Sequence, residues 1–270
     1  MTRPYLLPPI EWMDELRRPA LTDQQARAVR AALMEFIESE YGIVFDDATP
    51  LSPAIYETFV DKEYTTYEEF VPSRGDVVID AGAQYGDYTL LCAKRGARVH
   101  AFEPHGGSFE ILEKNLIKNR SIDGTVRAYN IALGDTISKC GMMALRDGVY
   151  NFIDGKTIEP IFFDDITELT QERVIACAKE HNLRELTLAI GTMVTLDSLK
   201  IENVTHMKID VEGFEVGVLL GAARTLEEFH PKLIMEIHSQ YLREKCTEIL
   251  NKIGYSTKHV LHPHGIRYIE

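Results

Sequence analysis

The run VVIDAGAQYGDYTL, Val77 to Leu90, constrains the fold of this chain more than any other stretch. Three apolar residues lead into Asp80, a small-residue turn with glycines at Gly82 and Gly86 follows, and a helical pattern then resumes. A continuous apolar run of this kind reads as a strand covered on both faces, which calls for a parallel sheet with helices on either side. The rest of the chain keeps that rhythm. Gly86 to Arg95 reads as a helix stopped by Gly96, RVHAFEP as a second strand, and Ser108 to Asn119 as a helix with Phe109, Leu112 and Leu116 on one face. TVRAYNIALGD reads as a third strand. Further on come the strand THMKIDVEG, a helix from Phe214 to Phe229, the strand KLIMEIH and a helix from Gln240 to Ile253. YSTKHVLHPHGIRYIE closes the chain as a hairpin turning at HPHG. Strands alternating with crossover helices predict an α/β fold.

Two segments fall outside the rhythm. Residues 1–70 are expected to form a proline-broken arm and a helix packed on the core. The helix is signalled by Thr22 with Gln25 as a capping box, by Val29, Leu33, Phe36 and Ile37 at helical spacing, and by Gly42 as a C-terminal stop. The aromatic and acidic run IYETFVDKEYTTYEEFV is ambiguous. Residues 71–270 are expected to form the second unit, interrupted at about 136–192 by an insertion. Within it YNFIDGKTIEPIFFDD reads as hairpin or loop, Thr170 to His181 as a helix and LTLAI as a strand. The insertion and the N-terminal helix are expected to cover an acceptor pocket, because appendages usually carry specificity.

The glycine turn decides the ligand. Open α/β sheets bind ligands at the carboxyl ends of their strands, and a dinucleotide needs G-x-G-x-x-G so that backbone can approach the pyrophosphate. Gly82-Ala83-Gln84-Tyr85-Gly86 has bulky residues where that approach is made, and no Gly-Lys-Ser/Thr follows. The turn suits an adenosine ligand with a carboxylate and no phosphates, which is S-adenosylmethionine. Glu103, ending the second strand about 20 residues on, is expected to accept from the ribose hydroxyls.

Composition narrows the partners. A net charge of −13 repels phosphates and disfavours nucleic acid. No apolar stretch approaches the ~20 residues of a membrane span, and the N-terminal patch is too short and proline-broken for a signal peptide. The expected location is the cytoplasm. Cys92, Cys140, Cys177 and Cys246 form no C-x-x-C pair and read as isolated thiols.

Six motifs in order, VVIDAGAQYGDYTLL, VHAFEP, NIALGD, VTLDSL, MKIDVEGFEVGVLLGA and LIMEIH, give the chain a resemblance to the FkbM-type methyltransferases of the class I S-adenosylmethionine-dependent group. The resemblance covers about Val71 to His238. It implies a Rossmann-like sheet of seven strands, the last antiparallel, with helices on both faces, and methyl transfer to a hydroxyl of a small molecule or glycan. Carried over by position, Asp80, Gly82, Ala83 and Gly86 surround the methionine half of the cofactor, with Gln84 and Tyr85 packed over it. Glu103 takes the ribose, Pro104 and His105 lie beside the adenine, and Asn130, Ile131 and Ala132 border its other side. Asp210 stands beside the reacting methyl. Asp87 departs from the pattern and is expected to cap the following helix.

For the chemistry, period-two alternation places Lys208, Asp210 and Glu212 on one side of an extended strand, and Glu236 and His238 on one side of the next. His238 has the ordinary pKa of a general base near neutrality, and Asp210 and Lys208 complete the catalytic candidates. A divalent cation, Mg²⁺, held by Asp210, Glu236 and His238 is the alternative to a metal-free site. Other readings remain beside the O-methyltransferase: an RNA ribose or N-methyltransferase, an NAD(P)-dependent oxidoreductase, and a non-catalytic cofactor-binding protein. Oligomeric state has no signature.

Overall fold

A computed structural model describes residues 23–145, 152–153, 156–157, 186–237, 239–261 and 266–270. Helix α1 (Asp23–Tyr41) ends at Gly42, whose φ of 62° permits the left-handed stop. The ambiguous aromatic run resolves into helix α2 (Pro53–Tyr56), a π-helical turn (Glu57–Asp61) and a 3₁₀ turn (Glu68–Phe70). The α/β region then runs β1 (Val77–Ala81), α3 (Asp87–Lys94), β2 (Arg98–Phe102), α4 (Gly106–Lys118) and β3 (Thr125–Tyr129). Two strands follow, β4 (Ala132–Leu133) and, within the 136–192 segment, β5 (Ser138–Leu145). A two-residue pair, β6 (Phe152–Ile153) with β7 (Lys156–Thr157), and the strand β8 (Leu186–Val194) follow. The chain closes with β9 (His206–Ile209), α5 (Glu215–Gly221), α6 (Ala223–Phe229), β10 (Lys232–Glu236), α7 (Gln240–Lys252), β11 (Thr257–Val260) and β12 (Ile266–Ile269).

The main sheet has seven strands in the order β11-β12-β10-β9-β1-β2-β3. β1 pairs in parallel with β2 and β9, β9 with β10, and β12 runs antiparallel to both β10 and β11. This is the expected α/β sheet with one antiparallel strand near its edge. All five residues of β1 are buried, and their alternation divides the core. Val77, Ile79 and Ala81 join Met207, Ile209, Leu233 and Met235 under Val218, Leu226 and Leu250 of α5, α6 and α7. Val78, with Val99 and Ile234, faces Tyr88 and Cys92 of α3 and also meets Tyr64 and Phe70. Strand order reverses at β1, so the switch point lies between β1 and β9, where ligands of such sheets bind.

The N-terminal elements share a core with the sheet's first helix. Leu33, Ile37, Ile43, Phe45, Ile55 and Phe59 pack with Tyr85, Leu90 and Leu91. Two asparagines of the α4 region fasten this layer. Asn115 Oδ1 accepts from the Asp46 N–H, and its Nδ2 donates to the Tyr85 carbonyl. Asn119 accepts the Val44 N–H and donates to the Val44 carbonyl.

Three readings of the sequence need correction. TVRAYNIALGD is two strands, because Asn130 leaves the sheet and donates to the carbonyls of Glu103 and Pro104. β4 belongs to a separate three-stranded sheet, order β4-β8-β5, in which β5 and β8 pair over eight positions. The two ends of the insertion therefore zip together, a pairing hidden behind the lost rhythm of the sequence. The helix expected from Phe214 to Phe229 is two. A Cβ on Gly221 would lie 1.8 Å from the Gly134 carbonyl oxygen, so backbones touch there, and Asp197 caps the restarted helix by accepting from Arg224 and Thr225 N–H at 2.7 and 3.0 Å. The arm before residue 23, Thr22, the expected helix from Thr170 to His181 and the HPHG turn lie outside the described residues.

Candidate functional site

The glycine turn is built by contact. Gly82 has φ 82°, and a Cβ there would sit 1.8 Å from the carbonyl oxygen of Asp210, so the turn after β1 is pressed against the end of β9. Gly82 and Ala83 both donate to the Phe102 carbonyl, and Gly86 N–H closes the turn on Ala83 at 2.7 Å. Gln84 is held left-handed at φ 46°. Its N–H donates to Glu103 Oε2 at 2.8 Å, and its side-chain oxygen accepts from Ser52 at 3.1 Å.

Around this turn stand four carboxylates. Asp80 is 0% exposed. Its Oδ2 accepts from Thr89 at 2.5 Å, while its buried Oδ1 makes no hydrogen bond and faces Lys208 Nζ at 3.8 Å. Burial pushes its carboxyl up to about 6 against the pull of Lys208 and Thr89. Glu103 is 1% exposed and accepts the N–H of His105 and of Gln84, both at 2.8 Å. Burial raises it to about 7 despite those donors. Asp87 is buried in the first turn of α3, and its Oδ2 accepts from Thr58 at 2.5 Å. The N-cap of α3 is Gly86, which has no side chain to offer, and the Asp87 carboxylate binds Thr58 of the N-terminal layer. Asp210, its side chain 19% exposed, accepts from Lys208 at 3.1 Å.

Lys208 is the buried ammonium that answers them. It is the register partner of Asp80 on the neighbouring strand, which puts the two side chains on one face. Nζ donates to the Gly82 carbonyl at 3.0 Å and lies 5.4 Å from the centre of the Tyr64 ring. Burial opposes its charge, but Asp210, Asp80 and Asp87 outweigh burial and hold its pKa above the ordinary lysine value. Lys208 is thus held as a cation among these carboxylates. β9 ends at Ile209, and Glu212 sits at φ 53°, so the strand does not stay extended long enough to carry Glu212 beside Lys208 and Asp210.

The remaining expected residues are placed as follows. Tyr85 is 1% exposed with its ring in the N-terminal core, which leaves its backbone to the turn. Pro104 is half-buried, and His105 caps α4 by accepting the Ser108 N–H through Nδ1. Asn130 is exposed, Ile131 half-buried and Ala132 buried, at the gap between β3 and β4. Glu236 ends β10 half-buried. His238 lies outside the described residues, and so do most residues of the insertion expected to cover the acceptor. Among the described residues no group of three His, Cys, Asp or Glu side chains is arranged to hold a metal ion; the alternative Mg²⁺ set includes His238, which lies outside them. Sequence reasoning missed Thr58, Tyr64 and Thr89. Thr89 sits in the first turn of α3, where a hydroxyl beside a buried strand carboxylate was a readable signal. Thr58 and Tyr64 lie in the aromatic run whose structure the sequence left open.

The residues fit a cationic adenosine ligand. Four carboxylates gather around the one ammonium of the described site, and a carboxylate oxygen of Asp80 without a hydrogen bond is buried among them. That surplus suits a sulfonium and an ammonium and opposes a pyrophosphate.

Comparison with known proteins identifies the family. The methyltransferase FkbM domain family matches residues 80–262. The hexuronic acid methyltransferase AglP of Haloferax volcanii is 25% identical over 183 residues, 68% of this chain and 64% of that protein. The antimetabolite synthetase AmbE of Pseudomonas aeruginosa is 29% identical over 207 residues, 68% of this chain but 9% of that protein. The chain thus spans less than two thirds of the length of either relative. A crystal structure of the FkbM methyltransferase of Methylobacillus flagellatus shares the fold, with a TM-score of 0.52 at 13% identity over 97% of this chain and 58% of that one.

Proposed function

The chain belongs to the FkbM methyltransferase domain family, and from that premise we propose that it transfers the methyl group of S-adenosylmethionine to a hydroxyl oxygen of a small molecule or glycan. The carrying observation is the carboxylate surplus around Lys208 at the β1–β9 switch point. The bound cofactor supplies an electrophilic methyl on a sulfonium. Asp80 and the backbone at Gly82 and Ala83 hold the methionine end. Glu103 takes the ribose: each of its oxygens accepts one backbone N–H, and a carboxylate has about four acceptor positions, so two remain for a vicinal diol. Pro104, His105 and Asn130 to Ala132 flank the adenine.

In-line displacement draws most of its rate from holding donor and acceptor in register. A hydroxyl acceptor must also lose its proton, and Asp210 is the partly exposed carboxylate at the end of β9 that takes it. Lys208 aims that carboxylate through its hydrogen bond to Oδ2. His238, at the end of β10, is the second candidate proton acceptor. The similarity to a hexuronic acid methyltransferase supports a sugar as the acceptor class.

The test is transfer of labelled methyl from S-adenosylmethionine to a panel of glycosides and small alcohols, with amines and thiols alongside. Label appearing as an ether, lost in Asp210→Asn, is the expected result. Label confined to nitrogen or sulfur acceptors overturns the hydroxyl reading.

A further inference from the structure

Residues 53–70 precede the segment matched by the family, yet they reach the two charged side chains that flank the glycine turn. Thr58 is 1% exposed and its hydroxyl donates to Asp87 Oδ2 at 2.5 Å. It belongs to the π-helical turn Glu57–Asp61, a widened geometry frequent at functional sites. Phe59, the next residue, is fully buried and fixes that turn by edge contacts with Tyr41 and Phe45 at 5.0 and 5.9 Å. The turn ends at Lys62 in the left-handed region, φ 58°, which redirects the chain toward the sheet. Tyr64 then lays its ring over Lys208 and meets the edge of Tyr88 on α3 at 5.3 Å.

We propose that Thr58 and Tyr64 are positioning residues of the cofactor site, so that the segment before the family domain sets how tightly and in what pH range the cofactor is held. The inference rests on the methyltransferase reading above. Its physical basis is a relay. Burial disfavours the charge on Asp87, and Lys208 and the Thr58 hydroxyl counter it. Asp87 in turn is one of three carboxylates that sustain the Lys208 ammonium, the others being Asp210 and Asp80. Lys208 ties Asp210 to the Gly82 carbonyl, which fixes the turn against β9. The Tyr64 ring covers this ammonium with an attractive π face while excluding water. Besides Lys208, the charged groups that bear on Tyr64 are Asp210, Glu236, Asp87 and Glu57, all acidic, so the buried ring is also the neutral wall of a negative cluster.

The test is calorimetric titration of S-adenosylhomocysteine into the full chain and four variants between pH 6 and 8, with thermal unfolding recorded for each. Thr58→Val and Tyr64→Leu remove the hydroxyl and the π face. Thr58→Ser and Tyr64→Phe keep them. The expected result is a loss of about tenfold or more in affinity for Thr58→Val and Tyr64→Leu, widening as pH falls for Thr58→Val, with Thr58→Ser and Tyr64→Phe within about threefold of wild type. Equal affinity in all five proteins overturns the inference, and so does a loss as large in Thr58→Ser and Tyr64→Phe. Should Tyr64→Leu fail to fold, the Thr58 pair decides. A wild-type chain that binds no S-adenosylhomocysteine refutes the underlying methyltransferase reading instead.

Discussion

Replacing Glu103 by glutamine separates ligand binding from folding, because the two effects have opposite signs above neutral pH. In the wild type both carboxylate oxygens accept backbone N–H groups at 2.8 Å, from Gln84 and His105. A glutamine amide accepts one of these and turns its NH₂ toward the other, which loses one hydrogen bond and strands a donor, about 1–3 kcal/mol. Against that stands relief of a buried charge. A carboxyl raised by burial from 4.5 to about 7 binds its proton more tightly folded than unfolded. Its cost is therefore absent below about pH 4.5, grows as pH rises, and reaches about 3 kcal/mol above pH 7. Glu103→Gln should be less stable than wild type at pH 5 and equal or more stable at pH 8, measured by denaturant unfolding at both. S-Adenosylhomocysteine affinity at pH 8 should nonetheless fall by about ten- to a hundredfold, since the ribose loses its charged acceptor. Wild-type affinity in the variant would rule out Glu103 as the ribose acceptor, and an unchanged stability difference between pH 5 and pH 8 would rule out the buried charge.

Gly82→Ala should abolish the closed turn: the residue is left-handed and its new Cβ would collide with the Asp210 carbonyl oxygen. A melting temperature within a few degrees of wild type would show that β1 and β9 can separate without cost. Tyr85→Ala should destabilise the protein by about 3–5 kcal/mol, the cost of emptying an aromatic core site, with cofactor affinity little changed. A selective loss of cofactor affinity in a normally stable protein would place that ring at the ligand instead. In the wild type, S-adenosylhomocysteine affinity should weaken as pH falls from 8 to 5. Its ammonium and ribose hydroxyls favour the ionised forms of Asp80 and Glu103, so binding must expel protons from carboxyls that the free protein holds up at about 6 and about 7. Calorimetry in two buffers of different ionisation heat checks this, and zero proton release at pH 6 contradicts it.

The sheet was legible in the sequence because its central strands are buried on both faces and so cannot alternate. Val77 to Ala81 and His206 to Ile209 are buried runs bounded by turns, and the helices between them carry their own periodic faces. What the sequence hid were effects of distant backbone. Nothing local announces that Ala222 breaks a helix, since the cause is Gly134 touching Gly221 and Asp197 capping the next turn. The split of the third strand at Asn130 likewise depends on carbonyls of Glu103 and Pro104. That Asp80, Gly82 and Glu103 gather at the ends of β1 and β2 was readable from spacing. Tyr85 is turned into the core because α1 and the chain up to Phe59 build a pocket for its ring, a layer whose partner no sequence window contains. Tyr64 reaches Lys208 only after the chain turns at the left-handed Lys62, which no propensity foretells.

If the carboxylates at the β1–β9 switch point hold a sulfonium cofactor, a crystal structure with S-adenosylhomocysteine will show it at once. The expected complex has the ribose diol on Glu103, the amino group within hydrogen-bond distance of Asp80 or the Gly82 turn, and the sulfur beside Asp210. Ligand bound elsewhere, with Glu103 and Asp80 untouched, would mean that the acidic cluster serves the fold and not the cofactor.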